Sequence, residues 1–370
     1  MPAPHRPQPV SIDSPAAMLG VVPHLLGFTP DNSLIVVGGR GPRQRIEATL
    51  RFNLPDPPDQ AIAQAIADHT VSVLAGQEFT TVVVIGYGPG ELVTPLTRTL
   101  RRAIIRSGLE VRDVLRVQDG RYWSYVCKNP ACCPPEGVAF DLTSHPAARV
   151  MAAVGRPILA SREELAASIA PVTGPVAETM RQETGRAERI AARLLADATK
   201  AGSTVRPVVD RGLGAVQAAI GIYRDGGSIT ETSQFAWLAR ALASLQVRDD
   251  AWARMDPAYR EDHLRLWADV TRHAQPGYVA APASLLAFVA WQGGNGALAN
   301  VALDRALADS PGYSMAQLLR DTIDAGAPPS LARLPMTPEE VAASYNEPVA
   351  EGSTGQADPS SAGAGEDRAS

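Results

Sequence analysis

Three features that often reveal the class of a protein are nearly absent from this sequence of 370 residues. With only three cysteines, it has no disulfide framework of the kind found in small secreted proteins. The net charge of −5 provides no broad basic field, which argues against nucleic-acid binding. No apolar run approaches the roughly 20 residues of a membrane span, although Leu285–Trp291 is among the longest. We therefore expect a chain that binds neither nucleic acid nor membrane.

What remains is the composition of an ordinary globular protein. Hydrophobic residues make up 45% of the sequence and charged residues 20%. The chain is long enough for two domains that each bury a core. The opening segment, MPAPHRPQPV, has closely spaced prolines and lacks the apolar region of a secretory signal. We expect a cytoplasmic protein with a short extended tail at this end.

The first part of the sequence alternates between strand and helix patterns. Two strands are predicted at Ser33–Gly39 and Arg45–Leu54, and TTVVVIGYG is a β-branched run typical of a central strand buried on both faces. Asp119 and Gly120 form a favoured two-residue connection for a closing hairpin. The order α-β-β-α-β-α-β-β predicts an α/β domain with about five strands of mixed direction.

Beyond about residue 145 the strand patterns stop and helical patterns follow to the end of the folded chain. The predicted division is a disordered Pro-rich tail over residues 1–13, an α/β domain over 14–145, a helical connector over 146–205, a helical-hairpin domain over 206–346 and a disordered tail over 347–370.

A weak repeat marks the helical part. The phrases LWADVTRHAQPGY (Leu266–Tyr278) and VALDRALADSPGY (Val301–Tyr313) place their Pro-Gly-Tyr triplets 35 positions apart. A period near 34 residues is typical of stacked helical hairpins, and the second copy resembles a tetratricopeptide-like unit. The alternative is an all-helical domain in which the repeat arose by chance.

If the hairpin resemblance holds, it implies a concave groove lined by Ser284, Phe288, Trp291 and Gln292. Exposed aromatic side chains in such a groove commonly anchor a bound peptide, so we expect a protein or peptide partner there. The alternative is that these side chains belong to the core.

The segment YVCKNPACCPPEG contains all three cysteines, and several interpretations are open. Cys127, Cys132 and Cys133 could bind zinc with His145, the nearest histidine, although the side chains of adjacent cysteines tend to diverge. Cys127 and Cys132 could form a disulfide across the turn, or one thiol could act as a nucleophile beside His24 or His145. The favoured interpretation is that the thiols pack as small hydrophobic groups in a stiff turn. No cofactor is predicted, and zinc is left open.

A glycine-rich turn follows the predicted central strand, in VVVIGYGPGE. Gly86, Gly88 and Gly90 invite comparison with phosphate-binding loops, but their spacing matches neither the dinucleotide fingerprint nor a Walker loop. Thr94 and Pro95 predict that the next helix begins beyond the turn, because the residue before a proline avoids the helical region. An ordinary turn is favoured over a ligand site.

Long phrases of the sequence resemble a known family. VPHLLGFTPDNSLIVVG, DGRYWSYVCKNPACCPPEG and the segment from PGYVAAPAS to SPGYSMAQLL are similar to an actinobacterial family, domain of unknown function 4192. The similarity runs from about residue 14 to 345. The resemblance implies a cytoplasmic single chain with an α/β part followed by a helical part, and it brings no activity, cofactor or catalytic residue.

The sequence is therefore consistent with two functions. The favoured hypothesis is an interaction or scaffold protein that docks a partner segment on its helical domain. The alternative is an enzyme or small-ligand sensor with a site in the α/β domain, formed by the glycine turn, His24 and the cysteines.

Overall fold

The computed structural model describes residues 12–41, 43–142, 145–154, 158–200, 206–331 and 336–346. The strands are β1 (Ser33–Arg40), β2 (Arg45–Asn53), β3 (Thr81–Tyr87), β4 (Glu110–Gln118), β5 (Arg121–Ser124) and β6 (Val138–Ala139). The helices between them are α1 (Pro15–Leu26), α2 (Gln60–Ala75) and α3 (Gly90–Arg106). Apart from residues 12 and 13, the two predicted tails lie outside the described residues.

Helices make up the rest of the described chain. They are α4 (Pro146–Val154), α5 (Arg162–Ser168), α6 (Gly174–Lys200), α7 (Arg206–Arg224), α8 (Thr232–Ala241), α9 (Leu245–Ala253), α10 (Arg260–His273), α11 (Ala280–Gln292), α12 (Gly296–Asp309), α13 (Ser314–Asp324) and α14 (Pro338–Asn346), with short 3-10 turns at Pro257–Tyr259 and Pro329–Leu331. The predicted change from mixed α/β to helical structure is confirmed.

The six strands form one mixed sheet in the order β2-β1-β3-β4-β5-β6. Strands β3 and β4 are parallel, and every other neighbouring pair is antiparallel. The predicted mixed direction is therefore confirmed, but the described sheet has six strands rather than five. The additional strand is β6, whose two residues pair with β5. A strand of two residues shows no alternation of polar and apolar positions, so no sequence pattern could reveal it.

Strand β3 is buried on both faces, as its continuous apolar run predicted. Val82 and Val84 pack with α2 and α3 on one face. Ile85 and Tyr87 face the opposite way, into the cluster that contains α1 and the helical part. The structure is therefore layered, with α2 and α3 on one side of the sheet and α1 with the helical part on the other.

Helix α11 lies at the centre of the helical part, where α10, α12 and α13 surround it. A turn of three residues joins α11 to α12, which makes the two helices antiparallel neighbours. Ala287, Ala299 and Ala306 are fully buried and allow close packing of the helices. The first Pro-Gly-Tyr triplet ends one residue before α11, and the second ends directly before α13, so the repeated phrases occupy similar places. The tetratricopeptide likeness itself stays a prediction.

The two parts of the chain are joined by a common hydrophobic cluster. It includes Leu19 of α1, Ile35 of β1 and Trp267 of α10. The backbones of Phe28 and Leu159 also pair across the boundary between the parts. In the part of the chain that the structure describes, no helix combines the length and apolarity that crossing a bilayer requires.

Candidate metal centre

The cysteine loop begins where β5 leaves the sheet. The hydroxyl of Ser124 donates to the carboxylate of Asp113 on β4, with 2.7 Å between Oγ and Oδ1. The same oxygen accepts hydrogen bonds from the backbone N–H groups of Val126 and Cys127, at 3.2 and 3.0 Å. Ser124 thus fixes the backbone of Cys127 against the edge of the sheet.

A second polar residue turns the loop back on itself. The side-chain oxygen of Asn129 accepts from the N–H of Ala131 at 3.0 Å. Its backbone carbonyl accepts from the N–H groups of Cys132 and Cys133, at 3.2 and 2.9 Å. Asparagine suits this position because its side chain replaces a backbone partner in a tight turn. The turn returns Cys132 and Cys133 to the side of Cys127.

The far end of the loop is anchored by Trp123. Its indole Nε1 donates to the carbonyl of Pro135 at 2.9 Å. Gly137 packs beneath the ring with φ at +80°, and a Cβ there would lie 2.5 Å from the indole. Only glycine fits this contact, because both the backbone angle and the close approach exclude a side chain. Both ends of the loop are therefore held by the hairpin of β4 and β5.

The three sulfur atoms converge within this loop. The Sγ atoms of Cys127, Cys132 and Cys133 all lie within 4.8 Å of one another. The Sγ atoms of Cys127 and Cys132 are 3.3 Å apart, and all three cysteines are free thiols. The expectation that adjacent cysteines diverge is therefore wrong, because the Asn129 turn curls the chain around a common point.

The exposure of the thiols gives little support to the favoured interpretation of packed hydrophobic groups, which stays a prediction. Cys132 is exposed, and Cys127 and Cys133 are half-buried. A cysteine with a purely packing role is usually among the most buried residues of a protein. The three sulfurs instead form a polar cluster at the surface, where a solute can reach them.

Hydrogen bonds within the cluster shift the pKa values of the three thiols in different directions. Hydrogen bonds from the Cys133 thiol and then from the Asn129 backbone amide lower the pKa of Cys127. The pKa of Cys132 is raised, chiefly by its hydrogen bond with Cys127. The same kind of hydrogen bond raises the pKa of Cys133 to about 12. Deprotonation is therefore favoured at Cys127 over Cys132 and Cys133, and further ionisation accumulates negative charge unless a cation compensates it.

His145 does not join the sulfurs. Its Nδ1 accepts a hydrogen bond from the N–H of Ala147 at 3.2 Å, at the start of α4. Among the residues that the structure describes, no histidine, aspartate or glutamate side chain completes the group of three cysteines. The prediction of His145 as a fourth ligand is therefore wrong, because that imidazole serves as a helix cap.

The glycine turn after β3 serves the packing of α3. A Cβ at Gly86 would clash with Val93, so the helix side chain already fills the space above this glycine. A Cβ at Gly88 would meet Leu54, and one at Gly90 would lie 3.3 Å from Arg116. The turn is closed by the protein's own side chains, which agrees with the favoured interpretation of an ordinary turn.

The predicted start of the next helix is wrong. Helix α3 begins at Gly90, and Pro95 lies inside it. Burial explains the difference, because Leu92 and Val93 in the first turn reach the core only if that turn is helical. Tertiary packing here outweighs the local cost of an interior proline.

His24 lies away from both the glycine turn and the thiols. It occupies the last turn of α1, and burial lowers its pKa, opposed by a hydrogen bond with the backbone of Ala148 on α4. Helix α1 packs on the sheet face opposite α3. The composite site of glycine turn, histidine and cysteines is therefore not assembled.

The predicted docking groove is also absent from its expected place. Ser284 is fully buried, Phe288 is 2% exposed and Trp291 is 6% exposed. The ring of Trp291 packs against Phe288, and its Nε1 donates to the carbonyl of Ala327 at 3.3 Å. Gln292 is half-buried at the end of α11. The prediction that these residues line an open groove is wrong, because other helices surround α11.

The sequence alone did not identify the two residues whose hydrogen bonds position the thiols. Ser124 at the end of a strand and Asn129 before a proline are both typical turn-forming residues. That signal was present in the quoted segment, but it does not show that the turn brings three sulfurs together. The missing information is the hydrogen bond from Ser124 to Asp113, which joins residues on different strands.

Comparison with known proteins identifies the family of this chain but no activity. Neither the curated proteins nor the solved structures include a match to this chain. The family model described as Domain of unknown function (DUF4192) matches residues 15–330. Because that match covers most of the chain, from α1 to the turn after α13, the chain belongs to the DUF4192 family.

Proposed function

We propose that this protein binds a thiophilic divalent cation, with zinc as the physiological candidate, through Cys127, Cys132 and Cys133. The observation that carries the proposal is the convergence of three free thiols within 4.8 Å on a loop held by its own hydrogen bonds. Thiolate is the preferred protein ligand of zinc. Such a site needs reduced thiols, which suits the cytoplasmic location that we also propose.

The cost of ionising several neighbouring thiols is one that a bound cation would offset. The pKa values of Cys132 and Cys133 are raised first by their hydrogen bonds with Cys127 and further by its negative charge, so a second or third thiolate costs free energy. A divalent ion removes that cost and deprotonates coordinating thiols. The backbone amide of Asn129 donates a hydrogen bond to the sulfur of Cys127. Such a bond to a metal-binding sulfur would orient it and stabilise its negative charge.

The proposed site uses three protein ligands, and zinc prefers four. Water or a small solute would take the remaining place, since Cys132 faces solvent. A zinc ion with such an exchangeable ligand can polarise or bind a small molecule. The proposed function is thus metal-dependent binding in the α/β part of the chain, in line with a sensor or an enzyme.

Cobalt titration of the full chain tests this proposal, because cobalt–thiolate bonds absorb strongly and report the number of sulfur ligands. We expect one equivalent to bind to the reduced protein, and Cys127→Ser, Cys132→Ser and Cys133→Ser each to reduce the absorption and the affinity. Ala131→Ser is the matched control, since this exposed residue lies in the same loop without a ligand atom. Absence of stoichiometric binding by the wild type would overturn the proposal.

The 3.3 Å separation of the Cys127 and Cys132 sulfurs favours one second candidate, a redox-active pair. A peroxide could accept two electrons from this pair, which would form a disulfide while the peroxide is reduced to water. Mass spectrometry after peroxide treatment distinguishes the two functions. If metal binding is the function, zinc will protect the pair from oxidation; if redox is the function, the disulfide will form rapidly in both the presence and the absence of zinc.

A further inference from the structure

A cavity opens in the helical part, far along the chain from the cysteine loop. It lies between α6, α7 and α8 and has a volume of about 380 Å³. Four alanines face it, Ala187 on α6 and Ala215, Ala218 and Ala219 on α7. Because an alanine side chain extends by only one carbon, the two helices pack on α8 without filling the space between them. The volume falls within the range of small-molecule sites.

The floor of the cavity is apolar and aromatic. Trp237 of α8 is 8% exposed, and Leu238 and Ile229 beside it are buried. The Nε1 atom of Trp237 is buried without a hydrogen-bond partner among the described residues. A solvent molecule or a ligand can supply the partner that a buried donor of this kind needs. The cavity is therefore lined by apolar side chains and by a tryptophan whose indole N–H has no partner among the described residues.

The mouth of the cavity carries positive charge. The guanidinium of Arg211 lies 4.5 Å from the centre of the Trp237 ring, and within the described chain no carboxylate pairs with it. Arg186 also lines the cavity, where it contacts Glu183 at 3.8 Å. The three ionisable side chains leave a net charge of one positive unit, which matches a single anionic group. A planar guanidinium recognises carboxylate through two parallel N–H donors.

We propose that this cavity binds a small monocarboxylate with an apolar body, such as a medium-chain fatty acid. The carboxylate pairs with Arg211 at the mouth, and the chain lies against Trp237 and the alanine walls. This site is independent of the cysteine loop.

Titration calorimetry with the full chain and decanoate tests the proposal. We expect saturable binding of one decanoate, about tenfold weaker binding of decan-1-ol, and a similar loss for Arg211→Gln. Arg193→Gln is the matched control, because this exposed arginine of α6 does not line the cavity. Ala218→Trp should abolish binding by filling the cavity, with circular dichroism to verify that the helices persist.

Several results would overturn the proposal. One is the absence of decanoate binding to the wild type. Others are equal binding by the Arg211→Gln and Arg193→Gln variants, or binding of many decanoate molecules that Ala218→Trp leaves unchanged, which would indicate detergent-like adsorption. If Ala218→Trp fails to fold, the comparison of decanoate binding by Arg211→Gln and Arg193→Gln still tests the proposal.

Discussion

Ser124 and Asn129 illustrate how single side chains gather three cysteines from a loop without regular secondary structure. Ser124 holds the backbone of Cys127, and Asn129 directs the following amides toward its own carbonyl. Neither residue would bind a metal ion, yet both determine where the sulfurs lie. Their role resembles that of the outer hydrogen bonds in metal sites, which orient the ligands and tune their charge.

His263 of α10 is a second residue whose surroundings have a measurable consequence. It is 2% exposed, and neither ring nitrogen has a hydrogen-bond partner in the described structure. Burial lowers its pKa from 6.5 to about 4; the charge of Arg224 adds to this shift, and Asp256 and Asp262 oppose it. The folded protein therefore holds this imidazole neutral at a pH where the unfolded chain protonates it.

We predict that protonation of His263 destabilises the protein in mild acid. Between pH 6.5 and about 4 the unfolded chain binds the additional proton, so the free energy of unfolding falls as the pH falls. From pH 7 to pH 5 this group accounts for a loss of about 2 kcal/mol. Urea unfolding at both pH values measures it.

The comparison needs two variants. His263→Leu should lose less stability than the wild type over this pH range, by about the same 2 kcal/mol. His69→Gln, which changes an exposed histidine of α2, should follow the wild type. Equal pH dependence in all three proteins would show that His263 is not held neutral by its site.

At the scale of helices and strands, local patterns predicted most of the sheet and some of the boundaries. The β-branched run of β3 and the Asp119-Gly120 connection were recognisable because each follows from backbone geometry, and both turn residues have positive φ, at 51° and 69°. The start of α3 was not recognisable. Burial of Leu92 and Val93 against the sheet determines it, and that contact is invisible in a local window.

The same limit applies to the candidate sites. Three cysteines within seven residues could be noticed, but their convergence depends on Asp113, on a separate strand. Helix α11 offered aromatic residues at helical spacing, a pattern that exposed and buried helices share. Only the position of α11 among α10, α12 and α13 shows that Trp291 belongs to the core.

The repeated Pro-Gly-Tyr turn yields a prediction for the helix that follows it. Asp309, the last residue of α12, accepts from the backbone N–H groups of Gly277, Val279 and Ala280 at 2.7, 3.0 and 3.1 Å. It therefore caps the N-terminus of α11 from a distant part of the sequence. Asp309→Ala should lower the free energy of unfolding by about 2 kcal/mol.

Asp304→Ala on the same helix is the control in chemical denaturation. The side chain of Asp304 is 52% exposed and pairs with Arg162 and Arg320. Exposed ion pairs contribute little, so this variant should lose less than about 1 kcal/mol. Similar losses for Asp309→Ala and Asp304→Ala would contradict the capping role.

At the scale of the whole molecule, the α/β part and the helical part share one hydrophobic cluster. The face of the sheet that carries Ile35 and Ile85 lies against α1 and the helices beyond it. Neither part could expose this surface to water without losing much of its stability. The two parts should therefore unfold together.

Hydrogen exchange tests this coupling. Leu286→Ala creates a cavity at a fully buried position of α11 and should lower the free energy of unfolding by about 2–5 kcal/mol. We predict that amides of β3 lose protection together with those of α11, because both exchange through global unfolding. If β3 keeps its full protection in this variant, the two parts are independent units.

The most direct test of the central claim is X-ray absorption at the zinc edge of the zinc-loaded protein. The geometry predicts three sulfur neighbours at about 2.3 Å and one nitrogen or oxygen neighbour at about 2.0 Å. A signal from two or fewer sulfurs, or zinc surrounded by oxygen alone, would contradict a site formed by Cys127, Cys132 and Cys133.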